Sequence, residues 1–260
     1  NKMAICLTAV MIWISAVSAY SAETWSVFLD ENWLYANYSE IHTGSATLYQ
    51  VDPSAITVAV NAGHGTVGGY NYQTLCHPDG TAKVTGGSTA AGSIYATAIS
   101  SGTAMLDGTP ESSVTLSLAI LVRDKLLAEG FNVLMLRDQE DVQLDNIART
   151  VISNNNADCH ISLHYDSSEY DKGFFYIGVP DIASYKMMEP VASHWEEHNR
   201  LGESLLEGAR SVGVPIFGSG NMPIDLTQTS YSTIPSIDVE VGDRGSDYSV
   251  GTQSLIADGI

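Results

Sequence analysis

Ile56-Thr-Val-Ala-Val60 is followed at once by Asn61-Ala-Gly-His-Gly65, and these two stretches decide the fold. The first five residues are a short β-branched run, typical of a buried strand. The glycines on either side of His64 suit a turn that presents the imidazole ring. The pattern predicts the start of an α/β domain, with a polar side chain just beyond the carboxyl end of its first strand.

Helix and strand patterns alternate along the rest of the chain. Apolar spacing predicts helices at residues 111–129, 144–154, 191–212 and 247–260. Short apolar runs predict further strands at residues 131–136, 158–164, 173–177 and 236–241. Because strands that alternate with helices form crossover units, we predict a single α/β domain with a twisted, mostly parallel (mixed) sheet covered by helices on both faces.

The charge balance restricts the classes of partner. The 260 residues include 11 Lys and Arg against 30 Asp and Glu, which gives a net charge of −19. Phosphate backbones and anionic lipid surfaces repel so acidic a protein. We therefore expect no nucleic-acid partner, and no stable membrane partner beyond the N-terminal segment. We also expect a monomer.

The first residues have the composition of an export signal. Lys2 is the only charged residue before Glu23, and residues 3–19 form an apolar run that ends in small residues suited to a signal peptidase. We predict a signal peptide at residues 1–19, with an uncleaved N-terminal anchor as the alternative. Either interpretation places the rest of the chain outside the cytoplasm.

Two segments lack a clear period. Residues 20–55 are rich in aromatic side chains, and we interpret them as a lead-in segment that packs against the domain at residues 56–260. Residues 66–110 are a long stretch of Gly, Ser, Thr and Ala. Loops of that length inside compact domains are usually functional or disordered. Since this one directly follows His64, we expect it to shape a substrate site.

Four polar side chains fall where an α/β active site is expected. His64, His164 and Glu240 each lie at the end of a predicted strand, and Glu111 opens the first predicted helix. Active sites of such sheets lie beyond the carboxyl ends of the strands. Two histidines and one glutamate are a frequent catalytic zinc set with one position left for water, which leaves Glu240 free as a general base.

The residues around these four carry a resemblance to a known family. The motifs are, in chain order, Val58-Ala-Val-Asn-Ala-Gly-His-Gly65, Pro110-Glu111, Ile161-Ser-Leu-His164 and Ile234-Pro-Ser-Ile-Asp-Val-Glu-Val-Gly242. Together they resemble the metal and catalytic motifs of the zinc-dependent N-acetylmuramoyl-L-alanine amidases of the type 3 class. The resemblance extends from Ile56 to Ile260.

The resemblance implies a function and a role for each residue. His64, Glu111 and His164 would bind Zn²⁺, and Glu240 would be the catalytic acid/base. The enzyme would be a cell-wall-associated hydrolase of peptidoglycan. It would cut the amide bond between N-acetylmuramic acid and the L-alanine of the stem peptide. The fold would be a mixed sheet of about six strands between helices.

The chain departs from the family's pattern near the third ligand. The family usually has Asn two residues after that histidine, and here the residue is Asp166. This substitution adds a negative charge beside the expected metal, and makes Asp166 a candidate substrate-binding residue. After Glu240-Val-Gly242 the chain continues Asp243-Arg-Gly-Ser246 instead of the family's aromatic-x-Ser-Asn, so the family's substrate contacts at these positions do not carry over to this chain.

Two other functions compete with this interpretation. His194-Trp-Glu-Glu-His198 matches the H-x-x-E-H pattern of one class of zinc peptidase, with both histidines one helical turn apart. Leu201 and Leu205 continue the same helical stripe, so both rings would equally suit the border of the core. The second alternative is a non-catalytic cell-wall-binding module of the same fold.

Overall fold

The computed structural model describes residues 22–260. The signal peptide predicted at residues 1–19 lies outside the described residues. In the described part, no helix is both long enough and apolar enough to cross a membrane.

The strands and helices are numbered in chain order. The strands are β1 (Glu23–Val27), β2 (Ala46–Gln50), β3 (Thr57–Ala62), β4 (Gln73–Leu75), β5 (Tyr95–Thr97), β6 (Asn132–Met135), β7 (Cys159–Asp166), β8 (Phe174–Gly178), β9 (Ile216–Pro223) and β10 (Ser236–Asp243). The helices are α1 (Glu111–Ala128), α2 (Asn146–Asn156), α3 (Ala183–Lys186), α4 (Val191–Ser211), α5 (Thr227–Tyr231) and α6 (Val250–Gly259).

One mixed sheet forms the centre of the domain, in the order β1-β2-β6-β3-β7-β10-β8-β9. The strands β6, β3, β7 and β10 are parallel to one another, as are β8 and β9. The pairings β1–β2, β2–β6 and β8–β10 are antiparallel. This architecture confirms the predicted α/β fold with its mostly parallel, mixed sheet.

The sheet has eight strands, where the resemblance implied about six and the apolar runs predicted five. Two of the additional strands, β1 and β2, come from the aromatic-rich lead-in segment at residues 20–55, which therefore extends the sheet at one edge. The third, β9, lies at the other edge. Its sequence contains Gly218 and Gly220 and ends in Pro223, residues that weaken a strand signal.

Helices cover both faces of the sheet, as predicted. Alternate residues of a strand point to opposite faces, so Val58 and Val60 of β3 face one way and Ala59 the other. Val58 and Val60 lie in the larger apolar core, which the helices α1, α4 and α6 complete. Ala59 lies in a smaller core with Ala148 and Ile152 of α2.

The long segment at residues 66–110 is folded against the domain. It contains β4 and β5, which form a small antiparallel sheet of their own. A buried carboxylate, Asp225, anchors the stretch between these strands. Asp225 accepts hydrogen bonds from His77 Nε2 at 3.0 Å, from the backbone N–H groups of Val84 and Thr85 at 2.6 and 3.0 Å, and from Lys83 Nζ at 2.8 Å.

The Asp225 anchor generates a stability prediction. Removing one partner of a buried ion pair costs about 3–5 kcal/mol, so Asp225→Ala should destabilise the protein on that scale. Burial raises the pKa of Asp225, but hydrogen bonds from His77, Lys83 and Thr85 outweigh burial and hold that pKa below its ordinary value. The stabilisation is therefore present at neutral pH and is lost as acid protonates the carboxylate.

Hydrogen exchange and thermal unfolding measure this effect. The amides of Val84 and Thr85 should exchange faster in Asp225→Ala. The control is Asp79→Asn, at an exposed aspartate of the same segment that, among residues 22–260, accepts hydrogen bonds from Thr81 alone. Equal exchange in Asp225→Ala and the control would contradict the anchoring role.

Candidate metal centre

His64 lies in a tight turn directly after β3. Its backbone has φ = 64°, a left-handed conformation that costs energy for a residue with a side chain. The glycines beside it are needed for close approach. A Cβ on Gly63 would lie 2.3 Å from Cε1 of His164, and a Cβ on Gly65 would lie 2.4 Å from Nε of Arg137. The sequence therefore predicted the turn correctly, and the structure adds which neighbours require the glycines.

Two buried arginines hold this turn in place. Arg137 donates to the carbonyl oxygens of Ala62 at 3.1 Å and Gly63 at 3.0 Å. Arg149 donates to the carbonyl oxygens of Ala62 at 3.1 Å and His64 at 2.7 Å. Burial lowers the pKa of Arg137 to about 10 and that of Arg149 to about 9, so both stay charged at neutral pH. The carbonyl oxygens at the strand end thus accept charged hydrogen bonds instead of facing an apolar core.

Glu111 is the first residue of α1, where the helix dipole favours a carboxylate. Its Oε2 accepts from the backbone N–H of Thr103 at 2.8 Å, and its Oε1 accepts from the N–H of Tyr165 at 3.1 Å. Burial raises the pKa of Glu111, but hydrogen bonds from His164 and His64 outweigh it and hold that pKa below its ordinary value. Glu111 is therefore a carboxylate at neutral pH.

The structure brings the three predicted ligands together. The Nε2 of His64 lies 3.0 Å from Nδ1 of His164 and 2.9 Å from Oε1 of Glu111. The Nδ1 of His164 lies 3.2 Å from the same Oε1. Among the described residues, this is the one group of three or more His, Cys, Asp or Glu side chains arranged to hold a metal ion.

The donor set fits zinc. Tetrahedral zinc with donors at about 2.0–2.1 Å separates those donors by about 3.3 Å, close to the separations in this cluster. The ring of His64 is also oriented for metal binding, because its Nδ1 donates to the carbonyl oxygen of Ser100 at 2.9 Å. That hydrogen bond leaves Nε2 as the nitrogen with a free lone pair.

Two further carboxylates lie beside His164. In the parallel pairing of β7 and β10, Glu240 is opposite His164, and Asp238 precedes it by two residues on the same face of β10. Glu240 Oε2 and Asp238 Oδ1 are buried and have no hydrogen-bond partner among the described residues. Buried carboxylate oxygens without partners are costly unless a cation offsets their charge.

The sequence motifs indicated Glu240 but not Asp238. The signal was present in the alternation of Ser236, Asp238 and Glu240 with the buried Ile237 and Val239. Burial raises the pKa of Asp238 to about 6, although the charge of His164 lowers it.

Residues 100–103 of the 66–110 segment contact the candidate ligands directly, and no motif in the sequence indicated these contacts. The carbonyl oxygen of Ser100 accepts from His64, and the N–H of Thr103 donates to Glu111. Gly102 packs against both of these side chains. A Cβ there would lie 2.6 Å from Cδ2 of His64 and 2.8 Å from Oε2 of Glu111. That the segment shapes a substrate site stays a prediction, and the structure shows that residues 100–103 contact two of the three candidate ligands.

Asp166 ends β7 and forms an ion pair with Lys172. Lys172 also lies 3.4 Å from the buried Asp243. The negative charge that Asp166 adds near the ligands is therefore compensated by a lysine. Its role in substrate binding stays a prediction.

His194 and His198 do not join a metal cluster. His198 is fully buried in α4, and its Nδ1 accepts from the N–H of Ser236 at 3.0 Å. Burial lowers the pKa of His198 to about 3, so the ring is neutral. His194 contacts Glu197 at 3.5 Å on the helix surface. The H-x-x-E-H pattern here is a feature of helix packing, and its structure does not support a zinc peptidase site.

Fold and site together define an α/β domain with a candidate three-ligand metal centre at the carboxyl ends of its parallel strands. The family model for N-acetylmuramoyl-L-alanine amidases, Amidase_3, matches residues 58–242, well over half of the chain. The chain therefore belongs to the type 3 N-acetylmuramoyl-L-alanine amidase family, as the motifs had indicated.

Solved structures of amidases share the fold. The chain is similar to the amidase Ami1 from Mycobacterium smegmatis, with a TM-score of 0.65 and 19% identity, covering 78% of this chain and 92% of that one. For apo Ami1 from Mycobacterium abscessus the TM-score is 0.61 and the identity 22%, and the match covers 78% of this chain and 94% of that one. For AmiC2 from Nostoc punctiforme the TM-score is 0.55 and the identity 18%, and the match covers 78% of this chain and 92% of that one. No curated protein matches the chain.

The cluster predicts the metal content of the protein. The purified protein should hold about one zinc per chain, as expected for a three-ligand catalytic site. His64→Ala and His164→Ala should each lose most of that zinc, because each removes one of three donors. Elemental analysis of the purified variants measures the loss. His194→Ala is the matched control, and zinc that disappears in this variant alone would contradict the assignment.

Zinc binding should also depend on pH. Burial lowers the pKa of His164, but the charges of Asp238 and Glu111 and the hydrogen bond with Glu111 raise it to about 10 in the metal-free protein. Zinc must then displace a proton from His164 at neutral pH, so apparent affinity should fall about tenfold per unit of acidification. Chelator competition between about pH 6 and 8 measures this slope. A flat profile would contradict the prediction.

Proposed function

We propose that this protein is a zinc-dependent peptidoglycan amidase that cleaves the bond between N-acetylmuramic acid and the L-alanine of the stem peptide. One observation carries the proposal. The donor atoms of His64, Glu111 and His164 lie within 3.2 Å of one another, and Glu240 lies beside them on the neighbouring strand. Family membership supports the choice of bond. The three side chains supply donors, and Glu240 remains available for proton transfer.

Each residue has a defined part in the reaction. When bound, zinc would supply Lewis acidity that polarises the scissile carbonyl and acidifies the attacking water. His64, Glu111 and His164 would hold it, with His64 oriented by the carbonyl of Ser100. Glu240 would accept the proton of the water and deliver it to the nitrogen of the departing L-alanine.

The surroundings of Glu240 suit a group that both accepts and donates a proton. Burial raises the pKa of Glu240 well above its ordinary value, and Asp238 and Glu111 raise it further, against the lowering effect of His164. A divalent cation nearby would counteract part of this rise. A carboxyl group whose pKa lies closer to neutrality is a better proton shuttle than an exposed glutamate.

We also propose that the protein acts outside the cytoplasm, as a secreted, cell-wall-associated enzyme. The support is the signal-like composition of residues 1–19, together with the location of peptidoglycan. A wall-binding module of the same fold is the competing function. It would bind peptidoglycan without turning it over, so product analysis distinguishes the two.

Digestion of purified peptidoglycan tests the function. The wild-type protein should release stem peptides with a free L-alanine amino terminus, identified by mass analysis. Glu240→Gln keeps the size of the side chain but cannot accept a proton. It should hold normal zinc and lose about 10²–10⁴-fold in rate, the usual contribution of a general acid–base group.

His164→Ala is the contrasting variant, since it should lose zinc and activity together. Loss of zinc in Glu240→Gln would make Glu240 a ligand. A normal rate in that variant would remove it from the mechanism. Binding without any released peptide, in a zinc-loaded wild-type protein, would favour the wall-binding module.

A further inference from the structure

Each of the two candidate histidine ligands has one ring nitrogen that points away from the metal cluster. The group that faces this nitrogen differs between His64 and His164. In His64, Nδ1 donates to the carbonyl oxygen of Ser100, so Nε2 is left for the metal. In His164 the roles of the nitrogens are exchanged, because Nδ1 faces His64 and Glu111. For Nδ1 to bind a metal, the proton of the neutral ring must be on Nε2. A negatively charged group near Nε2 would stabilise that tautomer.

Asp238 places a carboxylate on this side of the ring. Its Oδ2 lies 3.6 Å from Nε2 of His164. That separation is an electrostatic contact, longer than a direct hydrogen bond. The side chain of Asp238 is only 15% exposed, so solvent screens the contact weakly. Its other oxygen, Oδ1, has no hydrogen-bond partner among the described residues.

The fold explains why Asp238 reaches this position. β10 runs parallel to β7, and Asp238 is opposite Ser162, two residues before the Glu240–His164 pair. Side chains two residues apart on a strand share a face, so Asp238 and Glu240 lie on the same side of the sheet. The neighbours Ile237 and Val239 are wholly buried in the apolar core on the other side. A carboxylate here contributes nothing to that core.

We propose that Asp238 is a positioning residue that holds the ring of His164, with its proton on Nε2, in the orientation that binds metal. The inference rests on the proposed zinc site. Asp238 would act through His164 and need not contact the substrate. A carboxylate behind a metal-binding histidine fixes the ring and raises its basicity, and loss of such a partner typically weakens metal affinity about 10–100-fold.

The test measures zinc affinity by chelator competition in the full chain. Asp238→Leu removes the carboxylate and should weaken zinc binding about 10–100-fold. Asp238→Asn keeps an acceptor oxygen of the same size but removes the charge, so its loss should be smaller. Zinc should also leave both variants faster than it leaves the wild type. Thermal unfolding checks the fold, and Asp238→Asn decides the question where Asp238→Leu does not fold.

Asp243→Asn is the matched control. It removes one buried negative charge from the same strand, but Asp243 contacts Lys172 and not His164. Its zinc affinity should equal that of the wild type. Equal affinities in Asp238→Leu, Asp238→Asn and the wild type would overturn the inference and leave the proposed function standing. An equal loss in Asp243→Asn would also overturn it, since general charge would then explain the effect. A wild-type protein that does not bind zinc would overturn the proposed function itself.

Discussion

The site depends on the way the backbone is held where β3 ends. The carbonyl oxygens of Ala62, Gly63 and His64 accept from two wholly buried guanidinium groups, those of Arg137 and Arg149. Charged donors to buried carbonyls are strong, and they fix a backbone conformation that is unfavourable for His64. With the turn fixed, the ring of His64 faces the neighbouring strand instead of solvent.

The second constraint is electrostatic. Glu111, Asp238 and Glu240 surround His164 in a buried region, and two of these carboxylates each leave an oxygen without a hydrogen-bond partner among the described residues. Such a concentration of negative charge is costly unless a cation compensates it or a carboxyl group takes up a proton. A protonated His164 supplies part of that charge in the metal-free protein. A divalent ion would supply more, and this requirement links the fold of the site to its proposed chemistry.

The segment between the first two ligands connects the site to the periphery. Asp225 holds the part of the segment that includes Val84 and Thr85. Residues 100–103 contact His64 and Glu111. A loop anchored at both ends keeps Glu111 at the start of α1 in register with His64 at the end of β3. Its composition, poor in apolar periodicity, does not indicate this, because these contacts are hydrogen bonds made by backbone groups and by polar side chains such as His77 and Lys83.

The sequence by itself determined the α/β class, the strands β3, β6, β7, β8 and β10, and the candidate ligand residues, because apolar periodicity and short motifs are local properties of the chain. Only the tertiary structure decided that β1, β2 and β9 join the sheet, since edge strands with glycines or no clean alternation carry weak local signals. The tertiary structure also decided that His64 and His164 lie together, whereas His194 lies apart from them on α4. The position of Asp238 depends on the register between β10 and β7, which no single stretch of sequence encodes.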